Sequence, residues 1–150
     1  MNSYRQLVSR IRQNYDLTID INTANEGDHA GLYYFLDRKI VLYPEVAKRL
    51  GKDITIILLH EFGHHLYFSQ RSIEENYAIS DSYTAIIEND PRMSSSTDRI
   101  VILNDERRAW ELGRKYAKIA FPNDTRLLAE IDSQRKRCLK RYEDFFKREN

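Results

Sequence analysis

The sequence predicts an α+β fold, mostly helical, with a small N-terminal antiparallel sheet or hairpin. Three observations point to it. Apolar residues recur at spacings of three and four over most of the chain, which is the helical period. One segment, GLYYFLDRKIVLY at 31–43, is instead aromatic and β-branched on either side of Asp37-Arg38, a hairpin pattern. The 150 residues, without an internal repeat or a long linker, suffice for one domain with a real core and are too few for two. A single domain over 1–150 is therefore expected.

The elements follow in order. Tyr4, Leu7, Val8, Ile11 and Tyr15 define a first amphipathic helix over 3–15. LTIDINTA alternates apolar and polar side chains and predicts a short strand. The hairpin comes next, and because its turn lacks glycine the turn type stays open. Pro44 ends the second hairpin strand, and PEVAKRLG is a short helical piece stopped by Gly51. Asp53 predicts an N-cap for a helix from about Ile54 to Ser69. Another helix is expected over 73–88, and the polar NDPRMSSSTD at 89–98 is the best loop candidate. IVIL at 100–103 fits either a short strand or a helix start. Asn104 or Asp105 is expected to cap a helix running to about Ala120, which Phe121-Pro122 breaks. Asn123 or Asp124 then caps a last helix with an apolar stripe from Leu127 to Phe146.

Composition narrows the function classes. The chain is 41% apolar and 31% charged, ordinary for a soluble, charge-rich protein. Lys plus Arg total 24 and Asp plus Glu total 23, so a net charge of +1 provides no overall pull toward nucleic acid or an anionic membrane. A single cysteine, Cys138, allows no intramolecular disulfide. The N-terminus is polar and carries no secretory h-region, and the longest apolar run, Ile54 to Leu59, is far too short to span a bilayer. A cytoplasmic location is the expectation.

The chemistry is concentrated in LLHEFGHHLYF at 58–68, where His60, Glu61, His64 and His65 interrupt an apolar helix. His60-Glu61-Phe62-Gly63-His64 fits H-E-x-x-H. Residues four apart on a helix stand roughly 5–6 Å apart on one face, so two imidazoles can reach one Zn²⁺. Glu61 follows the first ligand by one residue and is rotated about 100° from it. From there it can address a water made acidic by the metal without itself being a ligand. Burying these groups without partners would be expensive, which favours a metal over a satisfied core histidine pair. Gly63 weakens a helix by about 0.8–1.0 kcal/mol against Ala, tolerable where something packs closely on the backbone. His65 points away from His64 and reads as a helix-face residue, and His29 stands alone in a polar loop.

A catalytic zinc needs a third protein ligand and an open position. The continuation H-x-x-G-x-x-H of the metzincins is absent, and no histidine follows His65, so the ligand must be Asp, Glu or Cys138. Cys138 reads as part of the last helix's apolar seam. The carboxylates to weigh are Glu74, Glu75, Glu88, Asp105, Glu106 and Glu111. Ala109, Trp110, Gly113, Tyr116, Ala117 and Ala120 define the buried face of the helix after Asn104, and Glu106 falls on it. A lone carboxylate on an apolar face needs a cation or a hydrogen-bond partner. Zinc would satisfy Glu106, which is the expected ligand against the plainer reading of a first-turn glutamate complementing the helix dipole, with Glu75 and Glu88 in reserve. Small residues at 109 and 113 would let this helix approach the metal-bearing helix closely, against Gly63.

With those residues, HEFGHH followed by ERRAWELGRKYA, the chain resembles the gluzincin metallopeptidases, and within them the ImmA/IrrE family. The resemblance covers roughly residues 30–120. It implies a zincin-like domain with His60 and His64 as zinc ligands, Glu61 as general base, and Glu106-Arg107-Arg108-Ala109 as the third-ligand motif. It also implies an edge strand beside the site, a place the hairpin at 31–43 takes, along which a substrate peptide can add by backbone hydrogen bonds. The implied activity is zinc-dependent hydrolysis of a peptide bond in a protein or peptide substrate, a repressor-type regulator in phages and mobile elements. A donor for the oxyanion is needed as well, and Tyr33, Tyr34, Tyr67, Tyr77 and Tyr83 are not separable by sequence. The alternative is a zinc-binding, non-catalytic module that binds a regulatory protein. The basic cluster Arg135, Lys136, Arg137, Lys140 and Arg141 reads as a solvated face, and neither direct nucleic-acid binding nor a membrane partner is expected.

Overall fold

In the computed structural model, which describes residues 4–88 and 96–147, the chain runs α1 (Tyr4–Asn14), β1 (Thr18–Ile21), β2 (Gly31–Tyr34), β3 (Lys39–Leu42), α2 (Pro44–Arg49), α3 (Ile54–Ser69), α4 (Ile73–Glu88), α5 (Ser96–Ala120) and α6 (Thr125–Lys147). The fold is α+β and mostly helical, with one three-stranded sheet among the described residues. None of the described helices is long and apolar enough to cross a membrane.

The expected hairpin is present. β2 and β3 pair antiparallel, with Gly31 opposite Leu42 and Tyr34 opposite Lys39. Their connection bends through Arg38, whose φ of 45° supplies the left-handed residue that glycine would otherwise provide. The Arg38 guanidinium is anchored to Asp16 at 2.8 Å. The sheet as a whole is mixed, not antiparallel: β1 pairs parallel with β3, in the order β1-β3-β2. Alternation within LTIDINTA fixes which side chains face inward but not the direction of the neighbour, which depends on where a distant strand arrives. The order leaves β2 on an edge of the sheet, beside α3.

The helix at 54–69 starts where its cap predicts. The Asp53 carboxylate accepts a hydrogen bond from the Thr55 backbone N–H at 2.8 Å. α3 is apolar on nearly all sides because it is covered on nearly all sides, by the sheet, by α1 and above all by α5. Leu58, Leu59 and Phe62 are fully buried among Leu7 and Ile11 of α1, Ile19 and Ile40 of the sheet, and Trp110 and Ala117 of α5.

Three glycines set the spacing around α3. A methyl on Gly63 would lie 2.7 Å from the carbonyl carbon of Ala109 and 3.1 Å from its Cα. A methyl on Gly113 would lie 3.0 Å from the carbonyl carbon of Leu59. The α3 and α5 backbones therefore touch reciprocally at these two positions, the close approach that small residues at 109 and 113 predict. On the other side, Gly31 brings β2 against α3, where an added methyl would stand 2.5 Å from Ile57 Cγ2 and 3.2 Å from Glu61 Cγ.

α5 differs from expectation at its start. It begins at Ser96, not at Asn104 or Asp105, and IVIL is helical within it. Ile102 is buried against Ile86 of α4 and Phe146 of α6, which extends the helix upstream of the expected cap. Of the expected loop at 89–98, residues 89–95 lie outside the described residues, and the remainder opens α5. In α6 the buried stripe runs through Ile131, Cys138 and Phe146, while Phe145 is exposed.

Candidate metal centre

His60 and His64 stand one turn apart on α3 and face α5. There Glu106, only 5% exposed, meets both: His60 Nε2 is 2.9 Å from Glu106 Oε2, and His64 Nε2 is 3.5 Å from Glu106 Oε1. One ligand atom from each of the three residues lies within 4.8 Å of the others, so His60, His64 and Glu106 form a cluster that could hold a metal ion. Glu61 is next to it, its Oε1 4.0 Å from His60 Nδ1, and lines the same cavity without being one of the converging ligands.

The rings are held from behind. His60 is stacked on Trp110 with centroids 4.1 Å apart and planes 13° apart. His64 Nδ1 is 3.2 Å from Asp105 Oδ2. Asp105 is buried and has two further partners, the Tyr83 hydroxyl at 2.8 Å and Arg71 Nη1 at 3.3 Å. A carboxylate behind a ligand histidine fixes its tautomer, keeping the proton on Nδ1 and the lone pair on Nε2. From the sequence, Asp105 reads only as a helix cap or as one of six candidate ligands. Its orienting role is visible once α5 is known to start a full turn and more upstream of it.

Electrostatics favour a cation here. Burial alone would raise the Glu106 carboxyl, but the imidazoles of His64 and His60 hold it well below the usual glutamate range. Burial opposes charge on His64 too, yet Glu106 and Asp105 raise its pKa well above that of an ordinary histidine. Asp105 follows the same pattern: burial raises its pKa, and His64 more than reverses the effect. Among the described residues the carboxylates of Glu61, Asp105 and Glu106 outnumber the guanidinium groups beside them, Arg71 on Asp105 and Arg141 near Glu61 and Cys138. With neutral imidazoles the centre carries an excess of negative charge, which favours a cation. Without a cation, proton sharing between the histidines and carboxylates must carry the balance. The donor set, two imidazoles and a carboxylate beside an open cavity, fits zinc.

Set against protein-family models, curated proteins and solved structures, the chain matches none. The chemistry of the centre is therefore carried by its own residues.

The remaining expected residues sort cleanly. His65 is buried on the far side of α3, 3.0 Å from the Tyr33 hydroxyl and packed near Phe62 and Phe68, and burial lowers its pKa. His29 is exposed at the rim of the cavity. Glu74 and Glu75 are exposed on the first turn of α4, Glu75 bonded to Ser72, and Glu111 pairs with Arg108 on the surface. The Glu88 side chain lies outside the described residues. Cys138 is in the α6 seam as expected, with its sulfur 3.9 Å from Glu106 Oε2, and burial together with that carboxylate pushes its thiol up to about 11.

Among the tyrosines, Tyr83 is at the centre, its hydroxyl 2.9 Å from Glu106 Oε1. Tyr142, which by sequence belongs only to the α6 stripe, is there too, its hydroxyl 3.4 Å from the same oxygen. Burial and then the charge on Glu106 raise both hydroxyls above the ordinary tyrosine pKa, so both remain proton donors. Tyr77 and Tyr34 are exposed, and Tyr67 lies under the Arg71 guanidinium.

Proposed function

We propose that the chain is a zinc-dependent metalloendopeptidase of zincin-like fold, resembling the gluzincins and within them the ImmA/IrrE family, that hydrolyses a peptide bond in a protein substrate in the cytoplasm. A repressor-type regulator is the kind of substrate this resemblance suggests. The observation that carries the proposal is the convergence of His60, His64 and Glu106, with Glu61 beside them, at an open cavity of about 410 Å³.

His60, His64 and Glu106 would hold the ion. When bound, zinc supplies Lewis acidity, which makes water acidic near neutral pH and polarises a carbonyl. Asp105 keeps the His64 ring in the tautomer that presents Nε2, and Trp110 limits rotation of His60. The Glu61 carboxylate takes a proton from the attacking water and passes it to the leaving amine. The Tyr83 and Tyr142 hydroxyls are the donors nearest the centre that can stabilise charge on the carbonyl oxygen. Gly31 lets β2 lie close to Glu61, and a substrate strand extending the sheet on that edge would pass beside the carboxylate.

The test is metal content by elemental mass spectrometry together with cleavage of denatured casein. Wild type should carry about one zinc per chain and cleave. Glu61→Gln should keep the zinc and lose turnover, and His64→Ala should lose both. Full turnover by Glu61→Gln would sink the mechanism. Full zinc in a wild type that cleaves nothing would favour the zinc-binding interaction-module alternative, and a protein without zinc after handling free of chelators would remove the metal reading.

A further inference from the structure

We propose that the cavity beside the metal centre selects a large apolar side chain of the substrate, seated against Phe35, Phe68 and Ile79. This inference rests on the peptidase reading above. The cavity lined by His60, Glu61 and His64 is lined as well by Phe35 of the β2-β3 connection, Phe68 of α3 and Ile79 of α4, which make up its apolar arm. Its walls are aromatic: Phe35 and Phe68 have ring centroids 5.7 Å apart, and Tyr33 and Phe68 6.2 Å. The rim is aromatic as well, with the half-exposed Tyr77 ring set edge-on to Phe35 at 5.6 Å. A volume of about 410 Å³ for the whole cavity is within the range of sites that hold a small ligand or a few peptide atoms.

Two polar groups beside these rings, Asn76 and Arg71, bear on the chemistry of the occupant because they are already used. The buried Asn76 amide donates from Nδ2 to the Phe68 carbonyl at 3.2 Å and accepts at Oδ1 from Arg71 Nε at 2.9 Å. The Arg71 guanidinium also bonds Asp105 and lies 3.7 Å above the Tyr67 ring. A carboxylate entering the arm would have to take Arg71 from Asp105. A phenylalanine- or leucine-sized side chain leaves every one of these bonds intact and removes its own surface from water. The difference between filling and missing an apolar pocket of this kind is on the order of tenfold to a hundredfold in binding.

The experiment titrates zinc-loaded protein with four hydroxamates, those of acetic acid, phenylalanine, leucine and aspartic acid, by calorimetry. The phenylalanine and leucine compounds should bind at least about tenfold more tightly than the aspartate compound. Phe35→Ala, and independently Ile79→Asn, should erase that preference and leave acetohydroxamate binding unchanged. Equal binding of all the amino-acid hydroxamates, or a preference that survives both substitutions, overturns the inference. A metal-independent arm separates it from the peptidase reading: saturation-transfer NMR of N-acetylphenylalanine amide against N-acetylaspartate amide on chelator-treated protein. Contact from the phenylalanine compound alone, with no hydroxamate binding, keeps the apolar arm and removes the metal reading. Contact from neither compound overturns the arm.

Discussion

Gly63→Ala is the most demanding test of how the centre is assembled. The added methyl would stand 2.7 Å from the Ala109 carbonyl carbon, with the carbonyl oxygen nearer still. Non-bonded carbons settle at about 3.5–4.0 Å, so α3 and α5 must part by roughly 1 Å. The obstacle is backbone and cannot swing aside. Two effects then compete. Alanine favours the helix over glycine by about 0.8–1.0 kcal/mol. Overpacking a tight contact costs about 1–3 kcal/mol, and more where nothing yields. Overpacking wins, and a net loss of about 1–2 kcal/mol lowers the unfolding midpoint by roughly 2–8 °C for a chain of this size. The effect on the metal should be larger than the effect on stability. His60 and His64 ride on α3 while Glu106 rides on α5, and ligand distances tolerate only about 0.2 Å. The assay is thermal unfolding with and without chelator, paired with zinc content. The expected result is a lower midpoint in both conditions and zinc well below one per chain. A midpoint equal to or above wild type, with full zinc, would refute the close-contact argument.

Three further outcomes follow from the geometry. Glu106→Gln should reduce zinc sharply in the same measurement, and full zinc would leave Glu88 as the carboxylate to test, since Glu75 is exposed and bonded to Ser72. Asp105→Asn should leave the three ligands in place but weaken zinc about 10- to 100-fold, read by competition with a chromogenic chelator, because His64 loses its anionic acceptor. Asp53→Ala should lower stability by about 1 kcal/mol, measured by urea unfolding, with zinc content unchanged, since it removes only the α3 cap.

What the sequence made legible was local. The H-E-x-x-H spacing depends on one helical turn, the Asp53 cap on the next two residues, and the face carrying Glu106 on the period of a single helix. Each was readable without knowing any neighbour. The parallel pairing of β1 was not, because it is fixed by where β3 arrives some twenty residues later. Asp105 illustrates a boundary error that hid a role. Placed at a helix start it looks like a cap, but placed inside α5 it must find partners across the interface, and it finds His64, Arg71 and Tyr83. Tyr142 was invisible as a site residue for a third reason, since only the packing of α6 on α5 brings it to Glu106.

The buried carboxylate of Asp105 is held in common by two parts of the molecule. On one side it grips the His64 ring, and on the other it holds Arg71, which in turn holds Asn76 on the first turn of α4. Sharing of this kind is thermodynamically two-way: by whatever factor an ion at His64 changes the affinity of the Arg71 end of the cavity, a molecule at that end changes the affinity for the ion by the same factor. A molecule that draws Arg71 away from Asp105 would therefore alter the hold on an ion at His64, while one that leaves the Arg71–Asp105 bond intact would leave that hold unchanged.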